Sequence, residues 1–363
     1  RSIIFLATLE SGGEQMINRP DTATEKSVNV QIRALDAGPS PQILETNDMK
    51  FKSLIATGLL SMLASHVAHA QSDYPVNRVS LVTHSSPGGG TDVFLRGLIK
   101  HLSGPMKVNF SVENIRGGSG ATAVAHVAKG AADGSIFYGT TPTYIQTTLL
   151  SRPQVGYDGL DPIAIIFIDP EVIYTRTESP FKSLEDVIKH AKANPGKSRW
   201  GASNPASLER IAMERLSRSA GVKVPIVSHE GGADQMIGVL NGTYDIGIGE
   251  MQELQAQLEA GKIRLLATLS EKRLDGLPQL MTAKEQGFNV VVRKFRGLAG
   301  PKGIPDNVAR QMEDAIRKAV ASPAYKAEYT REHLTPMVLG REAARQFTAD
   351  VAAETITSFK EIG

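Results

Sequence analysis

No cysteine occurs in the 363 residues. That absence removes disulfides, thiol nucleophiles and cysteine-ligated zinc, although it assigns no compartment. An excess of one charge is missing too. Lys plus Arg number 40 against 38 Asp plus Glu, a net +2, with no basic stripe and little aromatic interleaving. The electrostatic footprint of a nucleic-acid binder is therefore lacking. Catalytic signatures are equally scarce. Neither H-E-x-x-H nor G-x-S-x-G occurs, and no acidic cluster has metal-ligand spacing. The sequence thus points to no catalytic residue and no metal site.

What is present is ordinary globular composition, 41% hydrophobic and 21% charged, in a chain long enough to favour two domains. The stretch "MKFKSLIATGLLSMLASHVAHAQ" begins at Met49 with Lys50 and Lys52. It continues through an apolar run from Leu54 to about Ala64 and ends in Ala68-His69-Ala70. A basic flank, a short apolar core and small residues at the cut make a secretory signal peptide. The run is too short to span a bilayer. Residues 1–48 then read as upstream sequence translated from too early a start, and the mature protein as Gln71 onward, exported to the periplasm.

The mature chain alternates strands and helices. "RVSLVTH", "VNFSVEN" and "SIFYGTT" read as strands, separated by the helical patterns "DVFLRGLIKHL" and "ATAVAHVAKG". From about Val172 the pattern restarts: "EVIYTRT", "SRWGAS", "VPIVSHEGG", "TYDIGIGE" and "IRLLATL" alternate with four helices, one capped by Ser183 and one starting at Ser207. This βαβ grammar implies two α/β lobes, each a mainly parallel sheet flanked by helices, with a cleft between them. Two helices, roughly 305–322 and 341–361, close the chain.

Four loops join a predicted strand to a helix: "SSPGGGTD", "IRGGSGAT", "ASNPAS" and "SHEGGAD". Ligands of open α/β sheets bind at that end of the strands. One glycine-rich turn is most simply a tight connection. Four at the same topological position suggest an anion site, because glycine lets backbone N–H groups approach a ligand at a helix N-terminus. A nucleotide is disfavoured. No Walker lysine follows Gly88-Gly89-Gly90. The partial fingerprint Gly118, Gly120, Ala123 lacks the acid that ends the next strand, and no cofactor is expected. His84 and His229 end strands beside glycine loops, and Glu230 and Glu250 also sit at loop positions. None has an evident acid–base partner.

The blocks "YPVNRVSLVTHSSPGGGTDVFLRGL", "VENIRGGSGATAVAHVAKGAADG", "SPFKSLEDVIKHAKANPGK" and "RGLAGPKGIPDNVARQMEDAI" together resemble the substrate-binding proteins of tripartite tricarboxylate transporters, the Bug family. The resemblance covers nearly all of the mature chain. It implies a two-lobed periplasmic-binding-protein fold of the second type, with lobe 1 at 71–170 plus 290–363 and lobe 2 at 171–289. It implies a monomeric carrier, not an enzyme, that captures a small carboxylate for a two-component membrane permease. A ligand-loaded sensor for a signalling kinase is the alternative, and a secreted enzyme a more distant one.

Carried onto this chain, the family's ligand contacts fall on Gly88, Gly89, Gly90, Thr91, Asp92 and Thr141 in lobe 1. Asp92 is expected to orient its loop rather than touch a carboxylate. In lobe 2 they fall on Ser203, Asn204, Ser207, Gly231 and Gly232. Two departures stand out. His229 and Glu230 replace an aromatic–lysine pair, and Glu250 ends a strand that relatives finish with a neutral or Asp-Asn loop. Two carboxylates at the distal end would repel a fully ionised tricarboxylate. The expected ligand is a mono- or dicarboxylate, with an amino group as one option.

Overall fold

The computed structural model describes residues 73–362, so the segment expected to direct export and everything before it lie outside the described residues. The order begins β1 (Arg78–Thr83), α1 (Gly90–Met106), β2 (Asn109–Asn114), α2 (Ala121–Ala128), β3 (Ile136–Thr140), α3 (Pro142–Ser151) and β4 (Leu160–Asp169). The chain then crosses at Pro170 into β5 (Glu171–Arg176), α4 (Leu184–Ala193), β6 (Trp200–Ala202), α5 (Leu208–Ser219) and β7 (Ile226–Ser228). After α6 (Gly232–Leu240), β8 (Gly247–Glu250), α7 (Met251–Glu259) and β9 (Ile263–Thr268), it returns as β10 (Lys294–Pro301). It finishes with α8 (Asp306–Ala321), α9 (Pro323–Arg331), β11 (Thr335–Leu339) and α10 (Arg341–Ile362).

Six strands in the order β11-β4-β10-β3-β1-β2 form the first sheet. Its β1 pairs in parallel with β2 and β3, as strands joined through helices must when they lie side by side. The other three pairings, β10 with β3, β10 with β4 and β11 with β4, are antiparallel. The α/β class and two-lobed type follow the sequence reading, but this sheet is mixed. Strand β10 re-enters from the second half of the chain, and nothing requires a returning strand to run parallel to its neighbours. The second half shows the same mixture. β5 lies antiparallel between β8 and β9, β6 pairs in parallel with β7, and a bridge from Trp200 to Ile246 ties the two groups.

Apolar residues cover both faces of the first sheet. Leu81, Leu95, Phe137 and Phe167 pack on one side, and Val82, Tyr138, Ile165 and Phe295 on the other. The second half is built likewise around Ile173, Trp200, Leu216 and Ile248, with a second cluster at Val172, Val239 and Leu254. Trp200 is wholly enclosed, its Nε1 donating to Ser198 Oγ at 3.1 Å. Among the described residues no helix is long and apolar enough to cross a membrane.

Candidate ligand site

Each of the four glycine or polar loops is shaped by local chemistry. In the first, Gly88 takes φ +80°, where a side chain would be strained, and its N–H donates to Asp92 Oδ2 at 2.9 Å. Asp92 also accepts from Arg96 Nε and from Asn114 Nδ2, which ties the loop to α1 and β2. Those donors outweigh the burial that would otherwise raise it, and its carboxyl is held below the usual range. In the second loop Ser119 adopts φ +52°. Its Oγ accepts from Ala206 N at 3.3 Å, which brings that loop against "ASNPAS". Ser207 accepts from Arg210 N and caps α5, and Thr141 accepts from Thr143 N and caps α3.

The first, third and fourth of these loops converge on a cavity of about 20 Å³, and the second does not reach it. Of the residues expected from sequence, Gly90, Thr91, Ser203, Asn204, Gly231, Gly232 and Glu250 line it. Gly88 and Gly89 form the turn before it, Asp92 sits behind that turn, and Thr141 and Ser207 are occupied with capping. Glu230 is exposed and does not line the cavity. The two histidines are engaged elsewhere: His229 with Tyr244, and His84 with Tyr138. Burial pushes the His84 imidazole down to about 4, so it is neutral at ordinary pH.

The loops also close on one another tightly. A Cβ added at Gly231 would lie 2.9 Å from Ser86 N, and one at Gly90 would lie 2.4 Å from Glu250 Oε2. Gly90 N donates to Glu253 Oε2 at 2.9 Å, across 163 residues of sequence. A carboxylate therefore sits on the glycine loop at the N-terminus of α1, and it belongs to α7.

Beside the cavity lies a buried ionic cluster that the sequence reading largely missed. Lys294 Nζ donates to Glu171 Oε1 at 2.8 Å and also to Glu209 and Glu250. Arg296 gives Nε to Asp169 Oδ2, one terminal nitrogen to Thr91 Oγ1 and the other to Glu250 Oε1, each at 2.7 Å. One signal was available. In "VVRKFRGLAGP", Lys294 and Arg296 flank Phe295 inside a strand that is otherwise apolar, and alternation puts both on one face. "FIDPEVIY" similarly carries Asp169 and Glu171 in an apolar run.

Electrostatics divides these groups. Burial opposes ionisation of Glu250, but Lys294 and Arg296 outweigh it and hold that carboxyl down at about 2. Glu209 is likewise lowered against its burial, chiefly by Lys294. Asp169 is pushed up to about 6, because burial outweighs the help of Arg296. Burial also raises Glu171 well above the usual range. Glu253, partly open as a residue but with its Oε1 enclosed, is raised by the same cause and then by repulsion from Glu250.

A larger open groove of about 730 Å³ lies between α7 and α9, lined by Met251, Leu258, Leu277 and Pro323 among others. It is mainly apolar and lacks the converging backbone donors that orient a small polar ligand. The loop cavity is the better candidate.

Over residues 94–363 the sequence matches the family described as the tripartite tricarboxylate transporter family receptor. It is 28% identical over 305 residues to the UPF0065 protein in the gbd 5'region of Cupriavidus necator, covering 83% of this chain and 91% of the relative. The structure titled R. palustris Rpa4515 with adipate is 26% identical, with a TM-score of 0.73, covering 79% of this chain and 97% of that one. The periplasmic binding protein BugD is similar in fold, with a TM-score of 0.75 at 22% identity, over 79% of this chain and 98% of BugD.

Proposed function

Because this chain belongs to the tripartite tricarboxylate transporter receptor family, a family of substrate-binding receptors rather than enzymes, we propose that it closes two lobes on a small organic acid in the periplasm and hands it to a two-component membrane permease. In this reading lobe 1 is 71–170 plus 290–363 and lobe 2 is 171–289. Export is directed by Met49 to Ala70.

One observation carries the acid. The Gly90 N–H holds the carboxylate of Glu253 at 2.9 Å, at the N-terminus of a 17-residue helix. The place of a carboxylate clamp, a backbone donor with a favourable helix dipole behind it, is thus taken by a carboxyl oxygen of the protein itself. A ligand carboxylate would take the same donor as Glu253 withdraws. The adipate complex of the 26%-identical relative supports the same ligand class.

Calorimetric titration of the full chain with adipate and with shorter dicarboxylates tests the reading. A ligand at a hundred times its Kd stabilises a protein that it binds only when folded by about 2.7 kcal/mol, so a rise in melting temperature should accompany the heat. Lack of response to every carboxylate, alongside a response to another class, would overturn it. Reconstituted uptake with and without the permease tests delivery.

A further inference from the structure

Two short helices wall the open groove of about 730 Å³ between α7 and α9. On α9, Pro323, Lys326, Ala327, Thr330 and Arg331 recur at i, i+3, i+4, i+7 and i+8, so they share one helix face, and all five are exposed. On α7, Met251, Gln255 and Leu258 share a face in the same way, while Glu253 lines the ligand cavity instead. Gly276 and Leu277 close the groove beside His333, and a Cβ added at Gly276 would press on the His333 ring. The charge along the groove has one sign. Lys326 and Arg331 line it, no Asp or Glu does, and burial holds the His333 imidazole below its usual range. Neither Lys326 nor Arg331 forms a hydrogen bond or ion pair among the described residues, although Arg331 eases ionisation of Glu332. The acids of this stretch do not answer them in the groove. Glu328 Oε2 lies 3.2 Å from His101 Nε2, and Glu332 is half-buried outside the lining.

We propose that this groove docks an acidic amphipathic segment of the membrane permease, with its apolar side on Met251, Leu258, Leu277 and Ala327 and its carboxylates against Lys326 and Arg331. The proposal rests on the delivery reading above. Chemistry selects this occupant. An apolar floor gains from an apolar partner, and two unanswered cations at its rim favour acid and exclude a basic partner. Shape selects a helix over a flat lipid surface. Each wall is a nine-residue helix, about 13 Å long, and a trough of that length takes two to three turns of a third helix. The position suits a carrier as well. On the lobe division proposed above, α7 and Gly276 belong to lobe 2, and α9 and His333 to lobe 1. One docked segment would then touch both lobes, and separation of the lobes would pull its surface apart.

The test uses the full chain with adipate present, and vesicles of phosphatidylethanolamine and phosphatidylglycerol with or without the reconstituted two-component permease. Permease vesicles should carry the chain in flotation, and empty vesicles should hold it at least about ten-fold more weakly. Equal flotation with both makes anionic lipid the occupant and overturns the proposal. No flotation with either overturns the delivery reading and this surface together. Lys326→Glu with Arg331→Glu should weaken the permease association at least about ten-fold and remove most of its salt dependence, which comes from exposed charge. Ala327→Trp fills the floor without changing charge, so it should weaken association while the salt dependence stays. Calorimetric affinity for adipate and the melting temperature should match the parent in both variants, which separates docking from ligand capture and from folding. Parent-like association of either variant overturns the surface and leaves the delivery reading standing. Loss of adipate affinity in step with permease association would mark these residues as structural and overturn the surface too.

Discussion

Arg296 is wholly enclosed, and its guanidinium meets Asp169, Thr91 and Glu250 through three different nitrogens. Removing it leaves buried Asp169 without its cation and Glu250 with Lys294 alone, a break that typically costs 3–5 kcal/mol, so Arg296→Met should lose about that much in urea unfolding. Arg96→Ala is the control. Its side chain is half exposed beside Asp92, and the loss should stay near or below about 1 kcal/mol. Asp169 sets a pH dependence. Its carboxyl is raised to about 6 by burial, against the pull of Arg296 and Lys294 and with a push from Glu250. The folded chain thus binds a proton that the unfolded chain releases nearer pH 4. Stability from this group is complete below the unfolded value and is lost as pH rises through about 6. Glu250, held at about 2, acts oppositely: its contribution is present above the unfolded range and is lost as pH falls toward 2. Melting temperature should therefore decline between pH 4 and 6 as the solution is made less acidic, and Asp169→Asn should flatten that slope. An unchanged slope would remove Asp169 as its source. At this scale the sequence was half legible. Glycines and capping hydroxyls announce themselves by local pattern. Glu209 and Glu253 look like ordinary polar positions of amphipathic helices, and only the tertiary fold shows that they turn inward.

Helices are held at their ends by devices that single residues can undo. Ser183 Oγ accepts from Asp186 N at 3.1 Å, and Asp186 Oδ2 accepts from Ser183 N at 3.0 Å, a reciprocal box at the start of α4. Ser183→Ala should cost about 1 kcal/mol, read as a lowered urea midpoint with an unchanged slope. Far from the cavity, it should leave ligand affinity intact. That cap was readable because helix starts carry a short-range signal, and the first three strands likewise follow their apolar pattern. The stretch containing α3 and β4, and later α9 and β11, was not read. Pro162 lies inside β4, where proline usually argues against a strand. It is tolerated because β11 pairs with β4 only between Ile165 and Ile168, and Pro162 lies beyond that register. The two helices expected at the C-terminus became three, since Pro323 restarts a helix after the Ser322 cap. The antiparallel return of β10 leaves no local trace at all, because sheet order is decided by partners far away in sequence.

The two halves of the molecule are tied at the crossing strands. Lys294 and Arg296 on β10 reach Glu171 and Asp169, which flank Pro170 where the chain passes from β4 to β5. Further out, Arg116 meets Asp234 at 3.2 Å and Ser119 meets Ala206. Gly231 is needed at this seam for space, not for backbone freedom, since its φ of 178° suits any residue. Gly231→Ala places a Cβ 2.9 Å from backbone Ser86 N, and backbone cannot swing aside as a side chain can. The variant should scatter X-rays with a larger radius of gyration and bind ligand about ten-fold more weakly, while each half keeps its circular dichroism. Scattering and affinity like those of the parent would show that the loops do not meet on closure. Glu253 has a further consequence for the whole molecule. Seated on the Gly90 donor, its carboxyl occupies the place that the proposed reading gives to a ligand. On that reading an acid from solution would have to displace a group that never diffuses away, so a scarce or poorly fitting acid would leave Gly90 occupied from within.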